Sequence, residues 1–158
     1  MFNVWVDYPL EDEEEAIIKS TTVPQNAEPE KVMTKEQVLQ LQSVVRKIPV
    51  SDHVIKYTIR LVRATRPSNE KSPDFIKQYV ACGAGPRAGQ FLILAAKARA
   101  VLEGRIHVSC NDIKRSAIPV LRHRLATNFA ADSEGLTVMK LVEKLVATVE
   151  EPSEQDYA

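Results

Sequence analysis

No apolar stretch in this 158-residue chain approaches the roughly 18 residues that a membrane-spanning helix needs, which excludes a helical anchor within it. The N-terminus lacks the basic region and apolar run of a secretion signal, so a cytoplasmic location is the expectation. Cysteine is scarce. Cys82 and Cys110 stand 28 residues apart, without a CxxC pair or a histidine at metal spacing, and read as two buried thiols in a reducing compartment. The histidines, His53, His107 and His123, are too scattered to suggest a metal centre. None of the five glycines is followed by lysine, which excludes a P-loop. Aromatic residues are few, at 6%, and no platform for stacking nucleic-acid bases is evident. Net charge is also missing, with 21 basic side chains against 21 acidic ones.

What is present fits a globular domain with a core of its own. Apolar residues make up 44% of the chain and charged residues 27%. The neutral total conceals three blocks. Residues 1–30 hold eight acids against Lys19, and residues 126–158 hold seven acids against Lys140 and Lys144. The intervening residues 31–125 therefore carry 18 bases against six acids, a basic centre between acidic ends. Such a centre suits an anionic partner, and equally a solvated surface.

Residues 2–8 alternate apolar and polar, the pattern of a strand. Pro9 then opens a helix from Leu10 to Ser20, with Glu11, Asp12 and Glu13 in its first turn and Lys19 at its end, as the helix dipole prefers. The run Glu11 to Glu15 reads as a solvated helix face, and Thr21 to Lys31 as a loop with Pro24 and Pro29. Thr34 and Gln37 form a capping box ahead of Val38, Leu41, Val45 and Ile48 at helical spacing. Ser51 or Asp52 caps the next helix, which carries Val54, Ile55, Ile59, Leu61 and Val62 and stops before Pro67. A short helix follows Pro73 to about Val80. A long one beyond Gly85 carries Phe91, Leu92, Ala95, Ala98 and Leu102 and is closed by Gly104. Ile106 to Val108 suggests a very short strand. Ser109 and Asp112 cap a helix with Ile113, Ala117, Val120 and Leu121, kinked at Pro119. Ala126 to Glu134 reads as irregular or briefly extended, and Leu136 to Val149 as the last helix. The fold class is mainly α, a bundle of about six helices with one short strand in front.

The chemistry concentrates at Gly83-Ala-Gly85-Pro86-Arg87-Ala88. The glycine spacing is not that of a dinucleotide loop, and no βαβ unit surrounds it. Gly85 frees the turn, Pro86 presets the first helical residue, and Ala88 completes the helix start. Arg87 adds a cation where the dipole is already positive, locally unfavourable by up to about 1 kcal/mol. A guanidinium and free N–H groups converging on one point suit an anion, phosphate above all; an arginine lying over the surface or paired with a carboxylate is the alternative.

Several blocks, in order, resemble the C-terminal part of the MoxR-type AAA+ ATPases. They are Val6-Asp-Tyr-Pro9, Leu61-Val-Arg-Ala-Thr-Arg66, Gly83-Ala-Gly-Pro-Arg87-Ala-Gly-Gln, Ala95-Ala-Lys-Ala-Arg99-Ala, Leu102-Glu-Gly-Arg105 with Val108, and Pro119-Val-Leu-Arg-His-Arg124-Leu. The resemblance runs from Phe2 to Val149; where the family usually has serine, this chain has Gly85. It implies that residues 1–9 are the last strand of an α/β ATPase core, 10–149 a helical lid, and 150–158 an acidic disordered tail. It also implies that Arg87 is the sensor-2 arginine, which reaches the phosphate of ATP bound with Mg²⁺ by the core. The implied partners are that core, neighbouring subunits of a ring, hexameric in expectation, and a von Willebrand factor A-type protein, in a chaperone-like remodelling or maturation role.

No strand ending in adjacent acids offers a magnesium site, so this chain is not expected to hydrolyse ATP alone. A different class of function is a helical nucleic-acid-binding module built on the basic centre. Arg60, Arg63 and Arg66 recur along one helix face, for which solvent or a subunit contact ranks above DNA. Arg122 and Arg124 suit a helix C-terminus, with a subunit or nucleotide contact as the lesser alternative. Arg99 and Arg105 are expected to pair with Glu103 or Asp112.

Overall fold

The computed structural model describes residues 1–24 and 29–152. Within them the chain runs through α1 (Glu11–Thr21), α2 (Lys35–Lys47), α3 (Asp52–Ala64), α4 (Asp74–Tyr79), β1 (Val80–Cys82), α5 (Pro86–Leu102), α6 (Cys110–Leu121), β2 (Ala126–Thr127), α7 (Phe129–Ser133) and α8 (Val138–Thr148). The mainly helical class holds.

The core lies where α3, α5, α6 and α8 meet. Tyr57 and Leu61 of α3, Leu92 of α5, Ile113 and Leu121 of α6, and Leu145 of α8 are fully buried. The α5–α6 pair packs most extensively. Ala88, Ala95, Ala96 and Ala100 are all buried on α5, and such small side chains let a neighbouring helix approach closely. The termini of these helices are well closed. Thr34 with Gln37 and Ser109 with Asp112 form reciprocal capping boxes, as their spacing predicts. Gly104, at φ 70°, ends α5 in a Schellman motif: Arg105 N donates to Ala100 O (2.8 Å) and Gly104 N to Val101 O (3.0 Å).

Four local expectations are corrected. Residues 2–8 form no strand, because no strand among the described residues lies beside them and an unpaired strand leaves its backbone groups unmatched. Ile106 to Val108 is a turn: Arg105 donates both to Glu103 and, through two nitrogens, to Asp112 (2.6 and 2.9 Å), folding the segment back on itself. In Ala126 to Glu134 the brief extension holds, as β2, but a helix the pattern did not show, α7, follows it, with Asn128 accepting from Ala131 N and Gly135 reversing the chain at φ 64°. β2 pairs antiparallel with β1, a strand that had no alternating pattern to announce it. Cys82 is exposed and only Cys110 is buried.

α1 and α2 bury no residue. The apolar face expected on α2 is partly exposed, with Val38 at 42% and Leu41 at 46%, and only Ile48 beyond its end joins the core margin. Part of the loop expected over 21–31, residues 25–28, and most of the expected acidic tail, residues 153–158, lie outside the described residues.

The Arg105–Asp112 pair gives a pH dependence. Burial alone would raise the Asp112 carboxyl, but hydrogen bonds from Arg105, Ser109 N and Ser109 Oγ outweigh it and lower it to about 2. A carboxyl depressed in the folded state stabilises at pH above its unfolded value and loses that contribution as pH falls through the folded one. Asp112→Asn is therefore expected to remove about 2 kcal/mol at pH 7 and much less near pH 2, measured by denaturant unfolding across that range.

Candidate functional site

The loop between β1 and α5 fixes where Arg87 stands. Gly83 lies against the end of α3 so tightly that a Cβ there would come within 2.5 Å of Thr65 O and 2.6 Å of Arg66 Cα. Only glycine permits this approach. The next residue is then held on both sides of its backbone. Ala84 N donates to Thr65 Oγ1 at 2.9 Å, and Arg66 Nε donates to Ala84 O at 2.9 Å. Thr65 is fully buried, and its hydroxyl donates in turn to Val62 O at 2.7 Å. Ser72 Oγ, also buried, closes the far side by donating to Arg66 O at 2.7 Å.

From this anchored point Gly85 takes the N-cap position of α5 and Pro86 occupies the first turn. Gly85 has open space around it, with nothing within 4 Å of a Cβ placed there, so the serine usual in the resembled family would fit. Ala88 is fully buried and seats the first turn against the core. Arg87, beside it, is exposed and makes no hydrogen bond or ion pair with any described residue. The first turn of α5 has no acidic side chain to balance the guanidinium and the helix dipole. Gly85, Pro86, Arg87 and Ala88 thus open a helix as their order predicts, and no carboxylate among the described residues pairs with the arginine.

The pattern along the chain places Arg66 on a basic helix face and Ser72 in a cap of α4; instead Arg66 and Ser72, with Thr65, hold the loop before α5, and α4 has no side-chain cap hydrogen bond. The visible signal was Arg66-Pro67 at a helix end; which carbonyl Arg66 would reach was not readable. Arg66 with Arg46 and Arg63 also rims a groove floored by Ile55, Val62 and Ile93 that runs beside Pro86. On its other side Arg63 shares a cleft with Lys56, Arg60 and Lys71. Arg60 donates to Glu150 O at 3.2 Å.

The remaining candidates make contacts within the domain. Arg99 lies 3.5 Å from Glu103, and Arg105 joins Glu103 and Asp112. Arg124 Nη1 donates to Val120 O at 2.5 Å, at the helix end where a cation suits the dipole. Burial, with Glu151 beside it, pushes the Cys110 thiol up to about 11, so it stays protonated at neutral pH and is a poor nucleophile. Among the described residues, no group of three or more His, Cys, Asp or Glu side chains could hold a metal ion, and no helix is long and apolar enough to cross a membrane.

Residues 74–145 match the family model of the AAA lid domain. The chain is 30% identical over 154 residues to the chaperone MoxR1 of Mycobacterium tuberculosis, covering 96% of this chain and 40% of that protein. It is 28% identical over 153 residues to the uncharacterised protein YeaC of Bacillus subtilis, covering 96% of this chain and 45% of that one. A crystal structure of a candidate ATPase from Cytophaga hutchinsonii superposes with a TM-score of 0.84 at 28% identity, over 97% of this chain and 47% of that chain. The chain therefore spans less than half the length of these relatives.

Replacing Thr65 by valine, equal in shape, strips Ala84 N–H of its acceptor. The expected cost is about 1–3 kcal/mol in denaturant unfolding; an unchanged midpoint would show that the loop is held by packing alone.

Proposed function

We propose, on the premise that residues 74–145 match the AAA lid family in a chain resembling MoxR-type ATPases along nearly its whole length, that this protein serves as the lid of a ring-forming ATPase. In this reading α5 presents Arg87 to the terminal phosphate of a nucleotide held mainly by an α/β core, the sensor-2 role. The observation that carries it is Arg87, exposed and without a partner among the described residues, on a helix start whose position is fixed by Thr65 and Arg66.

The residues present fit the phosphate end of ATP. The guanidinium offers a planar fork of donors and the helix dipole favours an anion at the same point, although Pro86 has no N–H and Ala88 N already donates to Gly85 O at 3.0 Å. Bound there, ATP supplies the phosphoryl group, with Mg²⁺ neutralising its charge, and the reading assigns the magnesium ligands to the core. Arg87 orients and stabilises the phosphate oxygens. Ala88 anchors the turn, and Gly85 and Pro86 set its direction. Since the arginine sits on a packed helix, a change in its phosphate contact moves the lid as a body. The same reading includes a six-membered ring in the cytoplasm, a von Willebrand factor A-type partner, and a remodelling or maturation role of the kind that the name chaperone, borne by MoxR1, describes.

A second reading, a nucleic-acid interface, is favoured by one observation: Lys56, Arg60, Arg63, Arg66 and Lys71 line a single cleft. A salt titration with duplex DNA separates the two. Binding whose logarithm falls with log salt by about 0.9 per phosphate contacted supports the interface; no binding at low salt supports the lid.

For Arg87, the expected result of Arg87→Ala in the ATPase containing this chain is a loss of turnover of roughly 10²-fold at saturating ATP. The exposed position predicts unchanged thermal unfolding. Wild-type turnover in that variant would end the sensor-2 assignment.

A further inference from the structure

The C-terminal end of α6 is completed by groups from outside the helix. An α-helix leaves its last four carbonyls without intrahelical donors. In α6 the Ile118 carbonyl accepts from Arg122 N at 2.9 Å and the Leu121 carbonyl from Arg124 N at 2.8 Å. The two between them are served differently. Pro119 O accepts from Asn3 N at 2.8 Å, and Val120 O from Arg124 Nη1 at 2.5 Å. The N-terminal segment thus docks on α6 by a backbone hydrogen bond, although it forms no strand.

The two arginines just beyond α6 extend that docking. The Arg122 guanidinium lies 5.5 Å from the ring centre of Trp5. Arg124 Nη1 comes within 3.5 Å of Met1 O and contacts the imidazole of His123. Its guanidinium also lies 5.0 Å from the ring centre of Phe91 in α5. Phe91 follows Arg87 by four residues, one helical turn, and shares its face of α5. Arg124 therefore touches three elements at once: the N-terminal segment, the end of α6, and the helix that carries Arg87.

We propose that Arg124, assisted by Arg122, is a positioning residue that ties residues 1–5 to the first turns of α5, so that displacement of this segment is carried to Arg87. Its purpose rests on the lid reading, because coupling to Arg87 matters only if that residue meets a ligand. The coupling itself is a property of this chain and needs neither nucleotide nor ring. A simpler role for Arg124, capping α6 alone, would link residues 1–5 to α6 and leave the start of α5 indifferent to them.

Amide hydrogen exchange of the 158-residue chain distinguishes the two. In Arg124→Ala, exchange is expected to quicken together at residues 3–5 and 88–92, by roughly fivefold, the loss expected for one exposed cation–π contact, while α8 keeps its protection. Asn3→Pro deletes the N–H donor at the far end of the link, leaving Arg124, Phe91 and the core intact, so it tests transmission without endangering the fold. Faster exchange at residues 88–92 in that variant supports the coupling, and Trp5, the single tryptophan, reports release of the segment by its emission. If Asn3→Pro frees residues 3–5 and shifts Trp5 emission while residues 88–92 keep wild-type exchange, the coupling is overturned and Arg124 is a helix cap only. If Arg124→Ala loosens α8 as well, Asn3→Pro alone decides.

Discussion

The structure around Arg87 depends on one close approach, that of Gly83 to the end of α3. Because no side chain stands between them, the backbone of Ala84 comes within hydrogen-bonding reach of Thr65 Oγ1 and Arg66 Nε together. Fixing both polar groups of one peptide segment sets its orientation, and with it the axis on which α5 begins. Everything downstream inherits this choice. The buried alanines of α5 meet α6, the Schellman turn at Gly104 returns the chain, and the Ser109–Asp112 capping box starts α6 in the matching direction. Since Thr65 is fully buried, water cannot substitute for its hydroxyl, and the local dielectric strengthens the bond.

α5 and α6 form the mechanical centre of the domain, and its two polar features stand side by side where α5 begins and α6 ends. At the start of α5, Arg87 stands exposed with the helix dipole behind it. At the end of α6, two arginines and an amide from the N-terminal segment satisfy carbonyls that the helix cannot satisfy itself. The charge pattern takes a similar form in space. The acidic α1 buries nothing, while much of the basic centre gathers along α3 and the α3–α4 loop. A neutral total was thus compatible with separate regions of opposite sign, each able to meet a partner of the other.

How far the sequence reached depended on how local each cause was. The capping boxes at Thr34 and Ser109, the proline-started α5 and the glycine closure at Gly104 were legible because each rests on residues within one turn of one another. The apparent strand at residues 2–8 misled because alternation describes a side-chain pattern, whereas a strand also needs a second strand to bond with. β1 and its pairing with β2 escaped for the converse reason: three and two residues are too few to show a period, and the pairing of Val80 with Thr127 joins positions far apart in the chain. α7 was hidden by its length, one turn capped by Asn128.

The same division applies to the candidate site. The order of residues alone determined that a glycine, a proline and an arginine would open a long helix, that the arginine would face a positive dipole, and that no P-loop accompanied it. It also determined the resemblance to MoxR-type ATPases, because that rests on the identity and order of short blocks. Only the tertiary structure decided that Arg87 would meet no partner among the described residues, that Thr65 and Arg66 would hold the loop before it, and that Arg124 would reach Phe91 and the N-terminal segment. Those outcomes depend on which distant groups come within about 3 Å for hydrogen bonds, or about 6 Å for a cation over a ring, and neither distance follows from spacing along the chain.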